Sequence, residues 1–425
     1  MTLIANTYWN GAPYHFREKV DADVEPLLLK APDFREFHAL YWTPRKTPKP
    51  RIAVIAMHPR VDFTRHYTFP RLLSRGIGCL GALTRNPNND VDTVHEEIVL
   101  DLAACVRFLR ERRGVEKVIL IGNSGGGSLA ALFQQQAEKR PEERIARSPD
   151  GFPTRLPKVD LVPADGLVLL AAHRGEGHVM LSCIDPSVVD ELDPRKTDDS
   201  LDMYAPENGF REPPAWSRYS KEFLARYREA QRERVARIDA IALEKVARVR
   251  EAIAVTEAPD FTSRPERERR ALLRARHLEE VMVVYRTMAN PQYVDDSLDP
   301  SSREYGSLLS PRPDLMNHKL LGFGRICTPR AWLSTWSGLR SNADLEKTLP
   351  EVTVPTLVVH AGRDKEIYRE TDAVPVFRAS GAADKSFFEI ESGRHYFEPD
   401  FGQKRSPALE ELMDHLIPWI EARFA

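Results

Sequence analysis

The chain has 425 residues, enough to bury a large core and to form more than one domain. Its 61 Lys+Arg against 63 Asp+Glu leave a formal net charge of -2, which argues against a nucleic-acid or anionic-membrane partner. Cys79, Cys105, Cys183 and Cys327 are scattered without CxxC or CxxH spacing, which argues against a metal site and a disulfide framework.

The opening MTLIANTYWNGAPYHF lacks the basic start and apolar core of a secretory leader. No run approaches the roughly 18 apolar residues of a membrane span, so a soluble, cytoplasmic protein is expected. Buried strands are predicted at RIAVIAMHP (51–59), IGCLGAL (77–83), VEKVILIG (115–122) and DGLVLLAAH (165–173). A helix is predicted over 96–114, where Ile98, Leu102, Val106 and Leu109 recur at helical spacing. Strands apolar on both faces and separated by helices imply a parallel sheet covered on each side.

From 174 to 320 the pattern changes. The segment is highly charged and Pro-punctuated, and 220–253 reads as one long helix with Ile238, Ala242, Val246, Val249 and Ile253 on its apolar side. Its charges are read as a solvated face. The strand pattern resumes at PTLVVHAG (355–362) and KSFFEIE (385–391), and a last helix is predicted over 408–424.

The chemistry concentrates in VILIGNSGGGSLAALF (118–133), where a strand meets a helix at a Gly-rich corner. Gly122-Asn123-Ser124-Gly125-Gly126 matches G-x-S-x-G in the strand–turn–helix setting that makes this motif informative. Such a turn strains the middle residue and lifts its hydroxyl above the sheet, while the next N–H, on Gly125, starts a helix and can hold an oxyanion. A phosphate loop needs a lysine after the glycines, and none follows. A dinucleotide fingerprint needs a further glycine where Ala130 stands, after the first strand rather than a later one.

A serine nucleophile needs a base, and the base an orienting acid, in the chain order Ser, acid, His. Asp364 follows the strand 355–360 and His395 follows the strand 386–390. Asp364 could instead be a surface turn residue with Glu366 as the acid, and His395 a loop histidine.

With these residues the chain resembles the α/β-hydrolases, over about 30–173 and 320–425. The resemblance implies a mostly parallel eight-stranded sheet with helices on both faces, and a cap inserted after the sixth strand. It divides the chain into a core, 1–173 with 321–425, and a mostly helical cap, 174–320. It implies a nucleophile elbow at Ser124, with Asp364 and His395 completing the triad. Related esterases often carry His-Gly-x after the strand 51–57; here the residues are His58-Pro59-Arg60. Pro59 has no N–H, so Arg60 is expected to supply the second oxyanion donor beside Gly125. His58, His173, Met180, Trp332 and Trp336 are expected to face the substrate, although two tryptophans four apart are more often core than ligand-binding.

Ester hydrolysis through an acyl-enzyme is the expected reaction, on a small-molecule substrate and without metal or organic cofactor. Lactone, thioester, amide or carbon–carbon hydrolysis, or acyl transfer, stay open on the same triad. A non-catalytic binding module of the same fold is the remote alternative, and a homodimer is left open.

Overall fold

The computed structural model describes residues 13–87 and 91–425; the twelve N-terminal residues, which carry most of the stretch read as lacking a leader, lie outside the described residues. Eight strands form one sheet: β1 Ala22–Lys30, β2 Glu36–Pro44, β3 Ile52–Met57, β4 Gly78–Ala82, β5 Lys117–Asn123, β6 Gly166–Leu170, β7 Thr356–Ala361 and β8 Lys385–Ile390. Their order across the sheet is β1-β2-β4-β3-β5-β6-β7-β8. Only β2 runs against its neighbours; from β4 to β8 every pairing is parallel.

Side-chain alternation divides the core into two layers. Ala53, Ile55 and Met57 of β3, with Val118 and Leu120 of β5, pack on helices α2 (His95–Arg107) and α3 (Gly126–Glu138). Val54, Ala56, Ile119 and Ile121 point the other way, toward α1 (Phe69–Ser74) and a C-terminal helix, Pro407–Phe424. A strand buried on both faces has no polar phase, which is why the central strands read as unbroken apolar runs.

The segment between β6 and β7 has its own hydrophobic centre. Helix α4 (Glu176–Cys183), the 37-residue helix α5 (Lys221–Glu257) and helix α6 (Glu266–Arg276) are joined by long irregular stretches. Met180, Tyr227, Ile238, Val246, Met288 and Tyr293 cluster there with Phe323, Cys327, Trp332 and Trp336. Asp239 of α5 accepts from the Trp332 indole at 2.7 Å and from the Ser337 hydroxyl at 2.8 Å. Phe323, Cys327, Ala331, Trp332, Leu333 and Trp336, grouped by sequence with the core, thus pack in this second cluster, and the main core resumes at Ala343. The tryptophans draw the segment there because their burial needs the apolar side of α5.

No helix among the described residues is long and apolar enough to cross a membrane.

The corner between β5 and α3 leaves no room for side chains. A Cβ on Gly122 would lie 2.6 Å from the Gly127 Cα and 2.8 Å from the Gly126 carbonyl, both backbone atoms that cannot swing aside. Gly122→Ala is therefore expected to destabilise by about 3 kcal/mol and to displace the corner. Urea unfolding should show a lower midpoint than wild type. A midpoint equal to wild type would mean the backbone opens without cost.

Candidate active site

Ser124 stands at the end of β5 with φ 54, in the left-handed region that non-glycine residues seldom occupy. Its N–H bonds the Leu170 carbonyl of β6 at 3.1 Å, and its own carbonyl accepts from the Gly127 N–H at 3.0 Å. Ala171 (φ 41) and Phe397 (φ 51) share this conformation just past β6 and just past His395. Strain of this kind gathers at one end of the sheet, where functional groups are commonly held.

Two loops at that end are stitched together. The Gly362 N–H donates to the Ile390 carbonyl and the Arg363 N–H to the Gly393 carbonyl, at 2.9 and 2.7 Å. The stitching brings Asp364 Oδ2 to 2.7 Å from His395 Nδ1, with both side chains out of solvent. The other Asp364 oxygen accepts the Glu366 and Ile367 N–H groups at 2.8 and 3.2 Å, which fixes the carboxylate in place. Burial opposes a charge on the His395 ring, but the Asp364 carboxylate outweighs it and holds the pKa above the ordinary histidine value.

The Glu366 carboxylate is hydrogen-bonded elsewhere. It accepts from the Tyr293 hydroxyl at 2.6 Å and from the Leu308 N–H at 3.0 Å, and burial lifts its pKa to about 7.

A cavity at this end is walled by Ser124, His395, His58, Arg60, His173, Glu176 and Glu366, with Val179, Leu308, Leu309 and Phe323 from the insertion. The β4-β3-β5-β6 order, the lone antiparallel strand and the strained serine between β5 and α3 now stand together. This is the α/β-hydrolase fold.

No protein-family model matches the chain, and no curated protein does. Among solved structures the chain is similar to the esterase domain of a Rhodothermus marinus protein, at 12% identity over 94% of this chain and 98% of that one, TM-score 0.42. DcsB in complex with its substrate analogue gives 12% identity over 94% and 100%, TM-score 0.48. Est1E from Butyrivibrio proteoclasticus gives 12% over 93% and 99%, TM-score 0.43.

Several expected site residues sit differently from their sequence assignment. The Arg60 N–H, expected to face an oxyanion, is aimed at His58 Nδ1 at 3.0 Å, as is the Val61 N–H at 3.2 Å. The turn after Pro59 folds these amides back onto the ring. A ring nitrogen that accepts two N–H groups carries no proton, so the His58 proton is on Nε2. Burial, reinforced by the nearby Arg60 charge, keeps that ring neutral, far below the usual histidine value. Met180, Trp332 and Trp336 are fully buried in the insertion's own core and do not line the cavity. Trp336 reaches it only indirectly, with its ring 4.9 Å from the Arg60 guanidinium. His58 and His173 do line it.

Sequence reasoning missed Glu176. Its carboxylate, 1% exposed, accepts from Arg60 Nε at 3.1 Å and lies 3.4 Å from His173 Nε2, directly over Gly125. Burial alone would raise its pKa, yet Arg60 and His173 hold it well below the ordinary range. Its position just past β6, at the functional end of the sheet, was the available signal. Glu176→Gln leaves Arg60 facing a neutral amide and is expected to cost about 3 kcal/mol. Denaturant titration should show the loss, and an unchanged midpoint would mean that the pair is solvated.

Outside the cavity, His178, Asp344 and Glu346 bring ligand-type atoms within 4.8 Å of one another. Asp344 is already committed there: it caps the Glu346 N–H at 3.0 Å and pairs with Lys347 at 3.2 Å.

Proposed function

We propose that the protein is a serine hydrolase that cleaves a carboxylic ester through an acyl-enzyme. One observation carries the reading: the buried Asp364–His395 pair at 2.7 Å opens onto the same cavity as Ser124, a serine in a left-handed backbone conformation at a strand–helix corner.

In this reading Ser124 Oγ attacks the ester carbonyl while His395 Nε2 takes its proton. Asp364 keeps the His395 proton on Nδ1, so Nε2 is free to accept. The negative charge on the carbonyl oxygen is met by the Gly125 N–H at the start of α3 and by the Nε2–H of His58, in place of the Arg60 amide. His58 suits the task because its ring stays neutral and donates without inviting a second proton. His395 then protonates the departing alkoxide, and water, activated by the same ring, resolves the acyl-enzyme. These steps use the chain's own groups and water, and a small-molecule ester is the partner in this reading.

The insertion selects the substrate. Val179, Leu308, Leu309 and Phe323 furnish an apolar wall opposite Ser124, suited to the acyl chain.

The test is a hydrolysis screen across p-nitrophenyl esters of graded chain length, run beside lactones, thioesters and amides. Esters are expected to be cleaved fastest. Turnover confined to amides or thioesters would overturn the ester assignment, and no turnover with no reaction toward a fluorophosphonate would overturn the hydrolase reading itself.

A further inference from the structure

A second and larger cavity, about 320 Å³, adjoins the one containing Ser124. Val179 and Glu366 belong to the walls of both, so the two spaces meet across these side chains. The larger cavity forms where α4 and α5 of the insertion face the loop after β7. Its cationic lining is Arg174, Arg228 and Arg232, its acidic lining is Glu366 and Asp372, and His178 also borders it.

The two acids offset the three arginines only in part. Glu366 is held by the Tyr293 hydroxyl and the Leu308 amide, and with a pKa of about 7 it is protonated in a large share of molecules at neutral pH. Asp372 accepts the Tyr368 N–H and the Thr371 hydroxyl, each at 3.1 Å, and lies 3.8 Å from Arg174. Arg174 also reaches Glu346 at 3.4 Å.

Arg228 is different. Its hydrogen bonds go to the Ser182 carbonyl at 3.1 Å, the Gln231 side-chain oxygen at 2.9 Å and the Asn290 side-chain oxygen at 3.0 Å, all uncharged. Three neutral acceptors fix the plane of the guanidinium without neutralising it. Burial pushes its pKa down, and the nearby Asp372 carboxylate opposes that shift without reversing it. A rigidly held guanidinium presents its remaining N–H donors in a geometry that matches a carboxylate.

We propose that this cavity is an anion subsite, and that the substrate is an ester bearing a carboxylate at the end remote from the scissile bond, received by Arg228 with Arg232 at the cavity mouth. The proposal rests on the hydrolase reading of the neighbouring cavity. In that arrangement the ester carbonyl lies at Ser124, the intervening chain passes Val179 and Glu366, and the carboxylate meets the Arg228 guanidinium.

The test compares esters of equal length that end in a carboxylate or in a carboxamide. One ladder carries the end group on the acyl half and one on the alcohol half. The readout is the ratio of kcat/KM, carboxylate over carboxamide, within each enzyme. Wild type is expected to favour the carboxylate at one chain length in one ladder. Losing a charge-assisted hydrogen bond corresponds to about a ten- to hundredfold change, so Arg228→Gln should lower the ratio by that factor. Arg232→Gln, an exposed position that cannot disturb packing, should lower it about two- to fivefold. Arg248→Gln, further along α5 and paired with Glu244 and Glu280, should leave the ratio as in wild type.

A wild-type ratio near one at every length in both ladders overturns the proposal, as does a preference that survives both Arg228→Gln and Arg232→Gln. Calorimetric titration of the Ser124→Ala protein with methyl hydrogen adipate and its homologues separates this failure from that of the hydrolase reading. Binding there that falls tenfold or more on adding Arg228→Gln supports the subsite even where no ester is cleaved. Equal binding of the carboxylates and their carboxamides overturns it.

Discussion

Ser124→Ala is expected to abolish labelling by a fluorophosphonate and to lower kcat by on the order of 10⁶-fold, the scale seen when the nucleophile of such a unit is removed. Intact mass should show one adduct on the wild-type chain and none on the variant. The fold should survive, because alanine fits wherever serine does and the φ of 54 is imposed by the corner rather than by the hydroxyl. Ser124→Gly separates backbone strain from chemistry. Glycine carries no penalty in the left-handed region, so this variant should be as inactive as alanine yet more stable than wild type, by up to about 1 kcal/mol. Opposite signs for activity and stability at one position would indicate strain retained for chemistry. Labelling that persists in both variants would place the nucleophile elsewhere.

The central sheet was legible because its strands have no polar face. Ala53 to Met57, Val118 to Ile121 and Leu167 to Leu170 are buried on both sides and read as continuous apolar runs. Strands β1 and β2 carried no such signature. β1 lies at the sheet edge with most of its residues exposed, and Pro26 interrupts it where an edge strand can spare an N–H. Long helix α5 was visible through its spaced apolar positions, since its other faces are charged.

At the site, Ser124, Asp364 and His395 could be named because each follows a recognisable strand, and strand ends share one edge of a parallel sheet. The structure brings His395 and Asp364 into contact and sets Ser124 in the same cavity. What pattern could not supply was direction. The Arg60 amide donates to the His58 ring nitrogen two residues earlier, and a sequence does not show which way an amide points. Trp332 and Trp336 have the spacing of a helix face, and that spacing is the same whether the face looks into a cleft or into a core. Glu176 and Arg228 escaped notice for another reason. A single charged residue in a charged segment looks like a solvated one until neighbours from distant parts of the chain exclude water from it.

The acid is the point at which two sequence candidates compete most directly, and its test discriminates by residue and by pH. Asp364→Asn should keep the fold and its backbone contacts but favour the wrong His395 tautomer, lowering kcat by about 10⁴-fold. Glu366→Gln should do far less, since its contacts are the Tyr293 hydroxyl and the Leu308 amide rather than the imidazole. His395→Ala should lose activity on the scale of Ser124→Ala. The base must be neutral to accept the serine proton, so kcat/KM should rise with pH through the free-enzyme pKa of His395. Asp364 favours the protonated ring, which puts the midpoint of that rise above the reference histidine value of about 6.5. Removing the carboxylate in Asp364→Asn takes away the stabilisation of the imidazolium, so the residual activity should rise at lower pH than in wild type. Glu366, with a pKa of about 7, titrates in the same window and adds negative charge near the ring as it ionises. Glu366→Gln should therefore move the wild-type midpoint slightly down while leaving the plateau rate nearly intact. A plateau that collapses in Glu366→Gln and survives in Asp364→Asn would reverse the assignment of the acid.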